Sequence, residues 1–369
     1  MSGLVSRWQE NRRSKRGKPP IKRGVVFANA KKAGIGMGRE QLREGVERIT
    51  KKWFPTGETA GASAVVEVHM THSLEELGEA KEKTMREAPP DFLVVVGGDG
   101  STQKTIGEDP DFLRYLTTEP EHPTEVIVVG AGSKNVVPTA LKLLGNDPLK
   151  AFDLACEKYV RGIPRDTVCC PMLKINDRHG FIYGSGAAVN ALDEYYRRKA
   201  GPSRAFRTGL GVLWRQTLGR FSPWRRPSIF RRFDAVISYR GADGTEQVFS
   251  MDRYNTVIAS SLREINPMLR VTPRTGERLG CFHGIGLNNG FWRTLLNGPS
   301  MIFGAPLVGA VQDAVTERLT IHYSEPMRHT IDGELYDTEQ LCCSTNGVSP
   351  RDENTVVIET GPYIKFVLA

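Results

Sequence analysis

The sequence predicts an α/β protein with a second, β-rich domain, and three observations support this. The chain has 369 residues, more than a single domain usually contains. Residues 24–160 alternate short apolar runs with amphipathic segments, which is typical of parallel βαβ units. Residues 161–369 contain short β-branched and aromatic segments separated by Gly, Pro and Asp, which favours a β-sandwich. We expect a basic flexible arm at residues 1–23 before the first domain.

The first domain's elements follow from its hydrophobic periodicity. In the first helix, Leu42, Val46 and Ile49 recur every three or four residues and so share one helix face. Ser73 and Glu76 have the spacing of a capping box, which predicts the beginning of the second helix. Strands are predicted at residues 25–28, 64–68, 92–96 and 126–129, and helices at residues 37–53, 73–88 and 102–108.

A glycine-rich turn follows the third predicted strand and reads Gly97-Gly98-Asp99-Gly100-Ser101. Glycine permits a sharp turn and lets a ligand approach the backbone N–H groups closely. A helix beginning just beyond it adds N–H donors without partners, so the segment predicts a phosphate site. Asp99 would then hold a metal ion against the phosphate or accept a hydroxyl proton. A tight turn that binds nothing is the alternative.

Polar or glycine-rich segments follow all four predicted strands of the first domain. The carboxyl ends of parallel strands lie on one edge of a sheet, where ligands bind. We therefore expect a single nucleotide site at this edge. Its candidate residues are Asn29, Thr71, Gly97, Gly98, Gly100, Ser101, Gly132, Ser133 and Asn135.

The net charge of +8 is concentrated in the N-terminal arm and in a block at about residues 197–232. This block, predicted as a helical insertion, contains no acidic residue and mixes arginine with tryptophan and leucine. Such a composition suits an anionic membrane surface, where each basic residue contributes about 1 kcal/mol. Nucleic acid, which stacks on aromatic rings, and an ordinary solvated face are alternatives; our prediction is a membrane and no nucleic acid. The predicted contact residues are Arg207, Trp214, Arg215, Trp224, Arg225 and Arg226.

Other features indicate a cytoplasmic protein that associates peripherally with membranes. No apolar run reaches the roughly 18 residues of a membrane span, and the N-terminus lacks the apolar core of a secretory signal. The six cysteines match neither zinc spacing nor a disulfide framework, so we expect buried, reduced thiols.

The second domain's strands are predicted from short β-branched segments. A glycine-rich stretch at residues 284–290 is predicted as a loop between two of them. The predicted strands are residues 235–239, 256–259, 319–323, 355–359 and 363–368.

With these segments placed, the chain resembles the diacylglycerol kinase catalytic domain family, which includes bacterial lipid kinases and the sphingosine and ceramide kinases. The resemblance extends from about residue 24 to the C-terminus. Four motifs carry it in the family's order: an Asn segment whose proline is replaced (Asn29–Gly34), the glycine turn (Gly97–Ser101), a Gly-Ser-Lys-Asn segment (Gly132–Val136) and Asp332-Gly333-Glu334.

The resemblance implies a Rossmann-like α/β domain of NAD kinase and diacylglycerol kinase type, a C-terminal β-sandwich, and ATP with Mg²⁺ in the cleft between them. A lipid hydroxyl would attack the γ-phosphate, with Asp332 or Glu334 as the general base. Asp99 would be catalytic and would contact Mg²⁺ through the nucleotide. The predicted enzyme is an ATP-dependent kinase that phosphorylates diacylglycerol or a sphingoid or ceramide-type lipid at a membrane surface.

The chain departs from the family at three places. Val136 and Asn190 stand where the family has aspartate, and the turn Glu277–Gly280 lacks the aspartates of a structural magnesium site. Two other functions therefore stay open. One is an NAD kinase-like or phosphofructokinase-like kinase of a soluble substrate, and the other is a non-catalytic lipid-binding protein on a kinase scaffold. A homodimer that pairs through an exposed strand edge is also compatible with the sequence.

Overall fold

The chain forms two compact units in a computed structural model: Met1–Met172 with Pro362–Ala369, and Leu173–Gly361. The structure describes residues 23–29, 39–55, 65–118, 123–130, 136–140, 147–163, 166–197, 229–264, 270–289, 297, 300, 305, 307–337, 341 and 354–367.

The first unit alternates strands and helices as the sequence predicts. Its elements are β1 (Arg23–Asn29), α1 (Arg39–Trp53), β2 (Val65–Thr71), α2 (Leu74–Met85), β3 (Phe92–Gly97), α3 (Asp99–Thr102), a π-helical turn (Gln103–Gly107), α4 (Pro110–Thr117), β4 (Glu125–Gly130), α5 (Val136–Ala140) and α6 (Pro148–Val160).

The sheet of the first unit is parallel, which confirms the predicted α/β fold. The strand order from one edge is β2-β1-β3-β4, with each neighbouring pair parallel. Strands β3 and β4 are buried at every position, which explains why they read as continuous apolar runs. Helices α1 and α6 pack on this core through Leu42, Val46 and Phe152.

The helix after the glycine turn begins earlier than predicted. We expected residues 102–108, but α3 begins at Asp99 and continues as a π-helical turn to Gly107. The backbone N–H of Thr102 donates to the Gly98 carbonyl at 3.0 Å, so the turn itself is wound into the helix. At α2, Ser73 is the N-cap as predicted, because its Oγ accepts from the Glu76 N–H at 3.1 Å. The Glu76 carboxylate accepts from the His72 N–H at 2.6 Å, one residue before the position that a capping box uses.

The rest of the chain is mostly strands. Its elements are β5 (Thr167–Ile175), β6 (Arg178–Gly180), β7 (Ile182–Gly186), α7 (Ala187–Arg197), β8 (Phe233–Arg240), β9 (Glu246–Val248), β10 (Arg253–Tyr254), β11 (Thr256–Ser260), β12 (Phe282–Leu287), β13 (Val311–Thr316), β14 (Arg318–Tyr323), β15 (His329–Ile331), β16 (Glu334–Tyr336) and β17 (Thr355–Val367).

The second unit contains two groups of antiparallel strands around one core, in agreement with the predicted β-sandwich. One sheet has the order β13-β12-β11-β7-β15-β16, and the other group has the order β10-β8-β14-β17. Side chains from both meet in the core, for example Tyr183 and Phe282 from the first with Ile237, Leu319 and Ile358 from the second.

Two predictions about strands are wrong. Residues 284–287 belong to β12 and not to a loop. Gly286 does not mark a turn: a Cβ atom there would lie 2.6 Å from the Tyr254 ring, so glycine is needed for the ring to pack against the strand. The two strands predicted at 355–359 and 363–368 are a single strand, β17. Its first half pairs with β14, its Lys365 and Phe366 pair with β4, and Gly361-Pro362 lies between these segments.

Several predicted features have a different outcome or lie outside the described residues. Cys169 is exposed, contrary to the prediction of buried thiols, whereas Cys156, Cys170 and Cys281 are buried. The structure describes neither residues 1–22 of the arm nor residues 198–228 of the basic block. Among the helices that it does describe, none has both the length and the apolar composition to cross a bilayer.

Candidate active site

The carboxyl ends of three parallel strands bring the first predicted site residues together. Asn29 and Thr71 end β1 and β2 and are partners in the strand register. Gly97 ends β3, next to β1 in the sheet, and is the register partner of Gly130 at the end of β4. The expected edge of the sheet therefore exists and carries polar side chains.

The glycine turn is packed so tightly that its first residue must be glycine. A Cβ atom at Gly97 would lie 2.4 Å from Ser101 Cβ, closer than real Cβ contacts. Because glycine lacks a Cβ atom, α3 can pack directly against the end of β3. The Asn29 side-chain amide then donates to Ser101 Oγ at 2.9 Å. This bond fixes two of the predicted nucleotide-binding residues against each other.

A cavity of about 190 Å³ opens beside this bond. Its volume is below the roughly 300–1,000 Å³ of sites that enclose a drug-sized ligand, so it would hold part of a nucleotide. Its lining has an apolar portion and a polar portion, and the described residues that form it include no carboxylate. The lining residues are Phe27, Asn29, Thr71, His72, Ser73, Leu74, Leu77, Val95, Val96, Ser101, Lys104 and Thr105.

Lys104 and Thr105 line the cavity although the sequence analysis did not identify them. Because the helical segment begins at Asp99, Ser101, Lys104 and Thr105 fall on one helix face at the spacing i, i+3 and i+4. Helical periodicity counted from Asp99 was the signal that could have found them. The Lys104 ammonium makes no ion pair with a carboxylate in the described part of the chain, so its charge is available to an anionic ligand.

Lys81 stabilises the part of the cavity lining that contains Lys104. It is 4% exposed, and its ammonium donates to the Lys104 carbonyl at 2.7 Å and lies 3.7 Å from an Asp109 carboxylate oxygen. Burial lowers the pKa of Lys81, and the Asp109 and Glu108 carboxylates oppose that shift. The side chain therefore holds the π-helical turn in place and does not reach the ligand.

The second predicted motif, Asp332-Gly333-Glu334, forms the turn between β15 and β16. Asp332 has a left-handed backbone (φ 50°) and is 5% exposed. Its carboxylate accepts hydrogen bonds from the N–H groups of Phe181 at 2.9 Å and Ile182 at 2.8 Å. These contacts tie the turn to the beginning of β7.

Glu334 differs from Asp332 in its surroundings. It is the first residue of β16 and is only partly buried. Its carboxylate makes no hydrogen bond or ion pair with any residue that the structure describes. Of the two acidic side chains in the motif, Glu334 is therefore the one whose oxygens are available to a substrate.

The remaining predicted site residues stay predictions. Asp99 is the first residue of α3, but its side chain is not described. Residues 131–135, which include Gly132, Ser133 and Asn135, lie outside the described residues, as do the six predicted membrane-contact residues. Gly98 and Gly100 adjoin Asp99 in the wound turn.

The departures from the family have structural partners. The Asn190 side-chain amide donates to the Ile229 carbonyl at 3.0 Å. In the turn near Pro273, the Arg274 guanidinium binds Glu277 at 3.0 Å and Asp313 at 2.6 Å. No cluster of three or more metal-ligating side chains occurs within the described ranges. Arg274 thus supplies the cationic partner for a carboxylate of this turn and for one of β13.

We predict that Lys104→Ala weakens the binding of ATP by about 10-fold to 100-fold, because a hydrogen bond to a charged group contributes about 1.5–3 kcal/mol. Isothermal titration calorimetry measures the dissociation constant. Lys83→Ala, which removes an exposed lysine from α2, is the control and should bind ATP as the unchanged protein does. Equal affinities of the two variants would show that Lys104 does not contact the nucleotide.

Comparison with known proteins identifies the first domain and the fold. Residues 24–167 match the diacylglycerol kinase catalytic domain. The comparison with curated proteins gave no match.

Two solved structures from Bacillus anthracis share the fold. One, a diacylglycerol kinase, is 13% identical with a TM-score of 0.58, and the match covers 95% of this chain and 98% of that one. The other, a candidate diacylglycerol kinase, is 15% identical with a TM-score of 0.59, and the match covers 95% of this chain and 99% of that one. The predicted resemblance to the diacylglycerol kinase catalytic domain family is thus confirmed, by sequence over residues 24–167 and by fold over nearly the whole chain.

Proposed function

We propose that this kinase transfers the γ-phosphate of ATP to a hydroxyl group of a lipid. The observation that carries the proposal is the cavity at the strand ends, where Asn29, Thr71 and Ser101 meet Lys104 and where none of the described lining residues is acidic. It lies in the domain that matches the diacylglycerol kinase catalytic domain.

The chemistry of the cavity suits a nucleoside polyphosphate. Its apolar lining, from Phe27, Leu77 and Val95, can cover a base, whereas its hydroxyls, amide and ammonium can bind ribose and phosphate. The described part of the lining has no carboxylate, so it does not repel the phosphate charge. Phosphoryl transfer depends mainly on such positioning and charge stabilisation.

Magnesium would be held chiefly by the nucleotide. Mg²⁺ at phosphoryl-transfer sites is usually bound by one or two carboxylates together with the phosphates. The described residues provide no three-ligand cluster, which fits an ion that enters with ATP. Asp99, in the glycine turn, is the carboxylate that we propose as its protein ligand. The bound ion would neutralise phosphate charge during transfer.

On the acceptor side, we assign the two carboxylates of the turn to different roles. Asp332 is occupied by the N–H groups of Phe181 and Ile182, so it shapes the turn. The Glu334 oxygens bond to no residue that the structure describes, and Glu334 is the proposed general base that accepts the proton of the attacking hydroxyl. The sequence alone did not distinguish the two.

The lipid substrate is supported by the composition of the basic block. Arginine interleaved with tryptophan and leucine suits an anionic bilayer surface, and a soluble substrate gives it no role. We propose diacylglycerol or a sphingoid or ceramide-type lipid as the acceptor. Arg207, Trp214, Arg215, Trp224, Arg225 and Arg226 are the proposed membrane contacts.

The function is tested with ATP labelled at the γ-phosphate and mixed micelles of diacylglycerol, sphingosine, ceramide or phosphatidylglycerol. We expect label in at least one lipid, and transfer that requires Mg²⁺. NAD⁺ and fructose 6-phosphate are the soluble acceptors for comparison. Label in a soluble acceptor and in none of the lipids would contradict the proposal.

We predict that Glu334→Gln lowers kcat by about 100-fold or more, because general-base catalysis contributes about 10²–10⁴-fold. Its melting temperature should stay unchanged because the Glu334 carboxylate bonds to no described residue. Asp332→Asn should instead lower the free energy of unfolding by about 1–3 kcal/mol, because an amide NH₂ would face a backbone N–H donor. Thermal unfolding and the labelled-lipid assay measure both effects. An active Glu334→Gln beside an inactive but stable Asp332→Asn would reverse the assignment.

We predict that replacing both Arg225 and Arg226 by glutamate weakens binding to phosphatidylglycerol vesicles, while ATP affinity stays unchanged. Each basic residue at an anionic surface contributes about 1 kcal/mol, and salt screens the attraction. Co-sedimentation at low and high salt measures the effect. The control replaces Arg12 and Arg13 in the N-terminal arm by glutamate, with the same change in net charge. Equal loss in both double variants would indicate a general effect of charge and no specific surface.

A further inference from the structure

Helix α7 holds the β15–β16 hairpin at two points. Near its C-terminal end, the Tyr196 hydroxyl donates to the Gly333 carbonyl at 2.8 Å. One turn earlier, the Asp193 carboxylate binds the Arg328 guanidinium at 2.5 Å. The same guanidinium lies 3.3 Å from Asp337, which directly follows β16. The helix therefore binds both the turn and the base of the hairpin.

The Tyr196 bond acts on the peptide group that joins the turn to Glu334. The Gly333 carbonyl belongs to the Gly333–Glu334 peptide group. A hydrogen bond to this oxygen restrains the orientation of that peptide plane, and with it the direction of the Glu334 side chain. Asp332 and Gly333 have left-handed backbones, with φ of 50° and 88°. The Asp332 carboxylate holds the turn from the β7 side, and Tyr196 holds it from α7.

The contacts of Tyr196 and Arg328 add little to the free energy of unfolding. Tyr196 is 44% exposed, so water can replace the Gly333 carbonyl as the partner of its hydroxyl. Arg328 and Asp337 are also substantially exposed, and exposed ion pairs add little to the free energy of unfolding. Their location is what distinguishes them, because both act on the segment that carries an acidic side chain without a described partner of its own.

We propose that Tyr196 and Arg328 are positioning residues for Glu334, an inference that rests on the function proposed above. They do not touch the substrate; they set the direction in which the Glu334 carboxylate meets the acceptor hydroxyl. A general base must lie within hydrogen-bond reach of the proton that it removes, so a small displacement of the turn lowers the rate.

The main test is Tyr196→Phe, which removes the hydroxyl and keeps the ring. We expect kcat for the lipid to fall by about 10-fold to 100-fold, the range for a misplaced reacting group. The KM for ATP and the melting temperature should stay unchanged. Tyr239→Phe is the matched control, because Tyr239 is a partly exposed tyrosine whose hydroxyl donates to Gln247 at 2.6 Å on the β8–β9 pair. It should retain full kcat.

A second readout separates positioning from a merely structural role. If Tyr196 acts through Glu334, the double variant Tyr196→Phe, Glu334→Gln should have the kcat of Glu334→Gln alone. Independent effects would multiply instead. For Arg328, we expect Arg328→Ala to lower kcat and Arg328→Lys to recover part of it, because lysine restores the charge without the two-sided guanidinium contact.

The outcomes separate this inference from the proposed function. A normal kcat in Tyr196→Phe, a multiplicative loss in the double variant or a lowered melting temperature would overturn the inference alone, provided that Glu334→Gln is inactive. A chain that labels no lipid, or a fully active Glu334→Gln, would overturn the proposed function and the inference with it.

Discussion

The contact between Gly97 and Ser101 is the constraint on which the candidate site depends. With no side chain at Gly97, the helical segment begins immediately at the end of β3 and lies against it. This start sets the rotation of every later residue in the segment. It places the Ser101 hydroxyl beside Asn29, and it turns Lys104 towards the same cavity. Any larger residue at Gly97 would have to displace Ser101, so the site and the local fold are determined by the same atoms.

The strand that leads into the proposed catalytic turn belongs to a buried network of polar, uncharged side chains. The buried Tyr183 hydroxyl lies 2.8 Å from His329 Nδ1 and 2.7 Å from the Tyr323 hydroxyl, which in turn donates to Ser185 at 2.9 Å. Burial lowers the pKa of His329 to about 4 and raises the pKa of Tyr323 to about 12, so both are neutral near pH 7. A satisfied network of this kind favours one arrangement of side chains. His329 lies three residues before Asp332, so this network holds the strand that leads into the turn.

Features whose cause lies in neighbouring residues were predicted from the sequence, and features that depend on distant contacts were not. Strands β3 and β4 were predicted because burial on both faces produces continuous apolar runs. Asn29, Thr71 and Ser101 were identified because they follow such strands. Lys104 was missed because we expected the helix to begin at Thr102, whereas in the structure it begins at Asp99. Strand β12 was missed because the reason for Gly286 is a distant ring, that of Tyr254, which no local pattern reveals.

Strand β17 extends the sheet of the first unit beside β4. Lys365 and Phe366 of β17 pair with β4, and Lys365 lies 3.0 Å from the buried Glu125, which also accepts from Tyr159 at 2.6 Å. The stretch that matches the family, residues 24–167, contains Glu125 and Tyr159 but not Lys365. A fragment cut at residue 167 would retain a buried carboxylate without its cation and an apolar strand with an open edge, both of which are unfavourable. The domain recognised by sequence is therefore shorter than the unit that can fold, and during synthesis the sheet of the first unit gains this pairing only after residues 173–361 of the second unit have been made.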